Sequence, residues 1–212
     1  MNKKEQLTKI IEVFEATKPK PETELSYDNT YQLLVAVILS AQCTDKRVNI
    51  ITKDFFNAFS DYEQLSNAKQ EDVFEKIKSC SYPNNKAKNL IGMASVLKNE
   101  FNGIVPSDIN QLQKMPGVGR KTANVVASVA FGKATMPVDT HVFRVAQRIG
   151  IVRKSKTPRE VEDQLLKITP KQKVHDLHHW LILHGRYVCK ARTPLCEECK
   201  ISMFCKSKTK TQ

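Results

Sequence analysis

Apolar residues recur at helical spacing almost from the start of this chain. Leu7, Ile10, Ile11 and Phe14 share one face, and Pro19 and Pro21 end the pattern. Asn29 or Thr30 is placed to cap a second helix through Leu33, Leu34, Val37 and Ile38, apolar almost all round and so a central core element. Polarity rises sharply from Ser40, and Thr44 or Asp45 then caps a third helix with Val48, Ile51, Phe55 and Phe59 on one side. Val73, Phe74 and Ile77 predict a short helix, and the turn residues of 81–85 a loop. Ala87, Leu90, Ile91, Ala94, Leu97 and Phe101 mark a strongly periodic helix that Asn102 and Gly103 end. Ser107 is read as the cap of a short helix carrying Ile109 and Leu112, and Ala123, Val126, Ala127 and Ala130 open another. Gly132 and Pro137 lead to Asp139, the cap of a helix through Val142, Val145 and Ile149. Thr157-Pro158-Arg159-Glu160 reads as a capping box before Val161, Leu165 and Leu166, and a last helix buries Val174, Leu177, Leu181 and Val188. No stretch sustains period-two alternation, so the predicted fold class is all-α.

Between two of these helices lies the hairpin Met115-Pro116-Gly117-Val118-Gly119. Pro116 cannot continue a helix, and two glycines one residue apart permit positive φ at a turn whose amides no side chain shields. Bare N–H groups at a helix start, with the positive end of the helix dipole behind them, suit a DNA phosphate. Lys121 follows in the first turn, where the positive field favours the neutral, nucleophilic amine.

Charge extends this picture. Thirty-four Lys and Arg against 22 Asp and Glu give the 212-residue chain a net charge of +12, which points to a polyanionic partner such as nucleic acid. The longest apolar run, 33–39, is too short to cross a membrane, and no signal or transit peptide is visible at the start. A cytoplasmic protein is expected, in which cysteines read as metal ligands or buried thiols before disulfides. Cys189, Cys196, Cys199 and Cys205 form a C-x6-C-x2-C-x5-C run, while Cys43 and Cys80 read as unpaired core thiols. Four thiolates within seventeen residues can close around zinc or an iron-sulfur cluster, and the chemistry alone does not choose. A single C-x2-C pair makes zinc the weaker reading. The basic, polar end 206–210 reads as a solvated tail.

Pro116-Gly117-Val118-Gly119-Arg120-Lys121-Thr122-Ala123, with Asp139 eighteen residues after the lysine in Val138-Asp139-Thr140-His141, resembles the helix-hairpin-helix of the endonuclease III family of DNA glycosylases. With the cysteine run, the resemblance covers nearly the whole chain. It implies a six-helix barrel domain at 23–133 and a discontinuous iron-sulfur domain from 1–22 and 134–212. DNA would lie in the cleft between them, faced by Lys121 and Asp139. It also implies a bifunctional enzyme that removes oxidised pyrimidines from duplex DNA and cuts 3′ to the abasic site by β-elimination through a lysine Schiff base. Lys121 is then the nucleophile, and Asp139 opposes positive charge on the sugar.

Other roles follow from the same resemblance. Gln42 would fill the gap left by the flipped nucleotide, while Gly117, Gly119 and Arg120 would hold the DNA backbone. Lys190 and Arg192, on the first loop of the cysteine group, would also face DNA. Tyr82 stands where many relatives place a leucine-like wedge, a departure from the family's pattern. Cys189, Cys196, Cys199 and Cys205 would ligate a 4Fe-4S cluster of structural purpose. His141, His178, His179 and His184 are assigned to packing and hydrogen bonding. The expected partner is double-stranded DNA containing damaged pyrimidines or abasic sites, with the protein a monomer at the nucleoid. Adenine glycosylases, which lack a lysine at the position of Lys121, and a non-catalytic binding module are the competing readings.

Overall fold

Eight of the eleven residues of one helix, Thr30–Ser40, are buried, and the first compact unit of the chain is built around it. The computed structural model describes residues 1–207, so residues 208–210 of the basic end lie outside the described residues. It contains α1 (Lys3–Thr17), α2 (Thr30–Ser40), α3 (Asp45–Ala58), α4 (Tyr62–Ser66), α5 (Gln70–Ile77) and α6 (Pro83–Phe101). There follow α7 (Ile109–Leu112), α8 (Arg120–Phe131), α9 (Thr140–Ile149), α10 (Pro158–Ile168) and α11 (Val174–Tyr187). Among the described residues there is no strand, and no helix is long and apolar enough to cross a membrane. The chain divides into two units, 24–132 and 1–23 with 133–212, each junction one residue from the expected limits.

In unit 24–132, α2 packs against α3, α6 and α8, while α6 carries α4 and α5. Phe55, Leu65, Ile77, Leu90, Met93, Leu97 and Leu112 close the core around Leu33, Leu34 and Leu39. The unit thus has seven helical segments, two of them, α4 and α7, no longer than five residues.

The other unit has its own core, from Leu7, Ile10, Val142, Val145, Leu165, Leu177 and Leu181. Two polar contacts explain why a helix at the start of the chain belongs there. Gln6 is fully buried, and its Nε2 donates to the carbonyls of Ile149 at 2.9 Å and Phe204 at 2.6 Å. Trp180 stacks on Phe14 with ring centroids 5.8 Å apart, and its Nε1 donates to the Lys18 carbonyl at 2.8 Å.

Helix starts differ in detail from the expectation. Asp108, not Ser107, caps α7, its Oδ1 accepting from the amides of Asn110 at 2.9 Å and Gln111 at 3.0 Å. An ionised acceptor one residue closer to the helix reaches two orphan donors, which makes it the stronger cap. At α10 only half of the capping box forms: Thr157 Oγ1 accepts from the Glu160 amide, but Glu160 Oε2 takes the amide of Lys156. The reciprocal box lies at α1, between Asn2 and Glu5. Phe59 and Val188 stand at the C-caps of α3 and α11.

The buried histidines of α11 give the second unit a pH dependence. Burial pushes His179 below the usual 6.5, outweighing the hydrogen bond of its Nδ1 to the His175 carbonyl. Below that value the unfolded chain takes up a proton that the folded protein refuses, so stability falls as pH drops through it. Thermal unfolding should therefore show a lower Tm near pH 5.5 than near pH 7.5. His179→Phe should narrow the difference, and an unchanged difference would exclude His179 as a source.

Candidate functional site

The hairpin between α7 and α8 is anchored from below and bare above. Met115 and Val118 are buried, while Gly117, Gly119, Arg120 and Lys121 are exposed. Only Gly117 uses a left-handed backbone, at φ 80°, and a Cβ there would meet Asn89 Cβ of α6 at 3.0 Å. Gly119 has an ordinary φ of −79°, so the expected positive φ belongs to one glycine of the two. A Cβ on Gly119 would meet open space, and no side chain caps α8. The start of α8 is thus a helix terminus open to an anion. Lys121 projects from its first turn.

Asp139 caps α9. Its Oδ1 accepts from the Val142 amide at 2.8 Å, and Oδ2 takes no part in that bond. Half-buried, it follows the buried run Thr135, Met136, Pro137 and Val138, which fixes where the cap stands.

Gln42 and Tyr82 are both exposed, and both have left-handed backbone, at φ 55° and 54°. Cys43 and Cys80, read from the sequence as separate, are neighbours in space. Burial raises the Cys43 thiol, and a hydrogen bond with Cys80 adds to the effect.

The four C-terminal cysteines line a single pocket, with Ile149, Val188 and Leu195 in its apolar wall. Among the described residues no three His, Cys, Asp or Glu side chains are grouped so as to hold a metal ion. Burial raises the Cys199 thiol, the Ile201 amide opposes this, and the charges of Cys205, Cys189 and Cys196 raise it further. Three nitrogens approach the sulfurs: Arg148 Nη1 lies 3.6 Å from Cys189, the Ser207 amide 3.4 Å from Cys205, and His184 Nε2 3.8 Å from Cys199. His184 is held neutral, burial pushing it down to about 4. Lys190 and Arg192 are exposed on the loop after Cys189. Arg148 holds that loop, donating to the carbonyls of Lys190 at 2.7 Å and Ala191 at 3.0 Å.

A family profile described as HhH-GPD superfamily base excision DNA repair protein matches residues 35–171. The chain is 50% identical to an endonuclease III of Rickettsia conorii over 199 residues, with 94% of each chain covered. This chain belongs to the endonuclease III family. It is also 43% identical to an Escherichia coli endonuclease III, with 99% of each covered. A solved structure described as a trapped endonuclease III–DNA covalent intermediate, an estranged-adenine complex, matches it with a TM-score of 0.93 at 41% identity. That match covers 99% of both chains.

Three residues of this endonuclease III family member escaped the sequence reading: Lys86, Arg144 and Arg148. Arg144 Nη2 donates to the carbonyls of Gly185 at 2.8 Å and Cys189 at 3.1 Å. The i, i+4 pairing of Arg144 and Arg148 on α9, just ahead of a cysteine run, was the available signal. Basic residues at that spacing more often mark a solvated face.

The cap at Asp139 carries its own test. Asp139→Ala should lower stability by about 1 kcal/mol, and Asp139→Asn by much less, since asparagine still accepts from the Val142 amide. Denaturant unfolding measures both, and equal losses would show that the carboxylate, not the cap, stabilises the fold.

Proposed function

We propose that this protein is a base excision repair DNA glycosylase for oxidised pyrimidines in duplex DNA, with an associated lyase that cuts 3′ to the abasic site. The observation that carries this reading is Lys121, an exposed primary amine in the first turn of α8 beside the bare hairpin of Gly117 and Gly119. Hairpin amides and Arg120 hold phosphates, so that the amine is presented to the sugar of an extruded nucleotide.

In the proposed reaction the neutral amine of Lys121 attacks the anomeric carbon, and the base leaves with the electrons of the glycosidic bond and a proton. The aminal opens to a Schiff base, loss of a 2′ proton drives β-elimination of the 3′ phosphate, and water releases the enzyme. Asp139 is assigned to oppose the positive charge that develops on the sugar as the base departs, with Oδ2 left out of the cap for that purpose. Lys190 and Arg192 are assigned to the DNA backbone, where their charge adds affinity without reading sequence. Preference for pyrimidines rests on family likeness.

We assign Cys189, Cys196, Cys199 and Cys205 to a 4Fe-4S cluster. One C-x2-C pair, where a zinc site usually has two, favours the cluster over zinc, and the four thiols line one pocket. The nitrogens of Arg148, Ser207 and His184 near three of the sulfurs fit a group whose negative charge is spread over several sulfurs. When bound, the cluster cross-links four points of the chain and so fixes the loop that carries Lys190 and Arg192.

Borohydride added during turnover on a duplex carrying thymine glycol should leave protein covalently joined to DNA. Lys121→Gln should abolish trapping while still binding the duplex, because the hairpin and Arg120 remain. Trapping equal to that of the parent would exclude Lys121 as the nucleophile.

Purified protein should be yellow-brown, containing iron and acid-labile sulfide in equal amounts. Cys199→Ser should lower its Tm along with its iron content. Stoichiometric zinc in a colourless, active preparation would overturn the cluster.

A further inference from the structure

Lys86 is 6% exposed, which is rare for a lysine, and it lies close behind the exposed turns that carry Gln42 and Tyr82. Its Nζ donates to the carbonyls of Leu39 at 2.8 Å and Ala41 at 2.7 Å, and approaches Cys80 Sγ at 3.1 Å and Ser81 Oγ at 3.3 Å. Two of these acceptors lie where the chain leaves α2, and two where it enters α6. The same segments are joined again by Ser81 Oγ, which donates to the Gln42 carbonyl at 2.7 Å, and by Cys80 Sγ, which donates to the Leu39 carbonyl at 3.3 Å. A cation suits this place, because the C-terminal end of α2 is the negative end of its dipole.

Each cross-linked segment presents one exposed residue in left-handed backbone, Gln42 at φ 55° and Tyr82 at φ 54°. Side chains other than glycine rarely adopt that region, and they stay there only where their surroundings over-determine it. The bonds radiating from Lys86 and Ser81 supply that constraint. Tyr82 is 62% exposed, so its ring is not held by packing in the core.

We propose that Lys86 is a positioning residue for nucleotide extrusion, its ammonium locking the Gln42 and Tyr82 turns into one rigid pair that enters duplex DNA where the damaged nucleotide leaves. This rests on the glycosylase and lyase reading above. Unstacking a base is costly, and side chains offset that cost only if they need not be ordered on arrival. Lys86 is too deeply buried to touch DNA. Its effect reaches DNA through the backbone of Gln42 and Tyr82, so it should matter only where there is a stack to open.

The test compares borohydride trapping on two substrates: an abasic site in a duplex, which leaves a gap to fill, and the same site in a single strand, which does not. Lys86→Met should lose roughly tenfold or more on the duplex, the scale of losing hydrogen bonds to a charged group, and little on the single strand. With 2-aminopurine beside the abasic site, the variant should give a smaller fluorescence rise on binding the duplex. Ser81→Ala, which buries no new group, should show the same split more weakly, and it carries the test alone if Lys86→Met does not fold. Equal losses on both substrates, or no loss on either, would overturn the positioning role. A parent protein that traps on neither substrate would instead remove the lyase reading, and this proposal with it.

Discussion

Residues 33–39 of α2 are buried without a break, so the carbonyls at its C-terminal end need partners from the protein. Each of its final four carbonyls is satisfied. Val37 accepts from Ser40 Oγ at 2.8 Å, Ile38 from the Ala41 amide at 3.4 Å, and Ser40 from the Cys43 amide at 3.1 Å. Leu39 accepts from both Lys86 and Cys80. Leaving such a group unpaired costs about 1–3 kcal/mol, and leaving a buried ammonium unpaired costs more. The core helix and the two exposed turns beyond it are therefore one structure. What closes the helix end also fixes the backbone at Gln42 and Tyr82.

Helix starts divide the remaining work, and the difference between two of them is chemical. At α8 no side chain caps the terminus. At α9 a carboxylate occupies that place and consumes the terminus for stability, using one oxygen of two. A bare start attracts an anion, whereas a capped start presents one. Lys121 and Asp139 thus inherit opposite electrostatic settings from the same local rule.

The reading from sequence went furthest where the signal was local. Helical periodicity located the core faces of α1, α2, α6 and α9, and residue type identified Asp139 and Thr157 as caps and narrowed two more to Asn29 or Thr30 and Thr44 or Asp45, of which the structure uses Asn29 and Thr44. The hairpin was legible because proline and paired glycines have few other uses. It failed at α7, where Ser107 was read as the cap and Asp108, the next residue, is the one that reaches the amides. It also failed where the partner is distant in the chain. Lys86 bonds to residues 45 and 47 positions away, and Arg148 to residues 42 and 43 positions away. Such a lysine or arginine looks like surface charge until its acceptors are placed. Cys43 and Cys80 were read as isolated for the same reason.

The cysteine run shows how a loop can be given stiffness it lacks by itself. The segment from Cys189 to Cys205 has little regular structure beyond a short 3-10 turn at Ser202–Phe204, so its order must come from cross-links. Arg144 and Arg148 provide some from α9, and Gln6 provides another from α1 by binding the carbonyl of Phe204. Arg148 also reaches two of the four sulfurs, its Nη1 lying 3.6 Å from Cys189 and its carbonyl 4.0 Å from Cys205. The proposed cluster would join all four sulfurs. With it bound, the loop bearing Lys190 and Arg192 would be ordered without a hydrophobic core of its own.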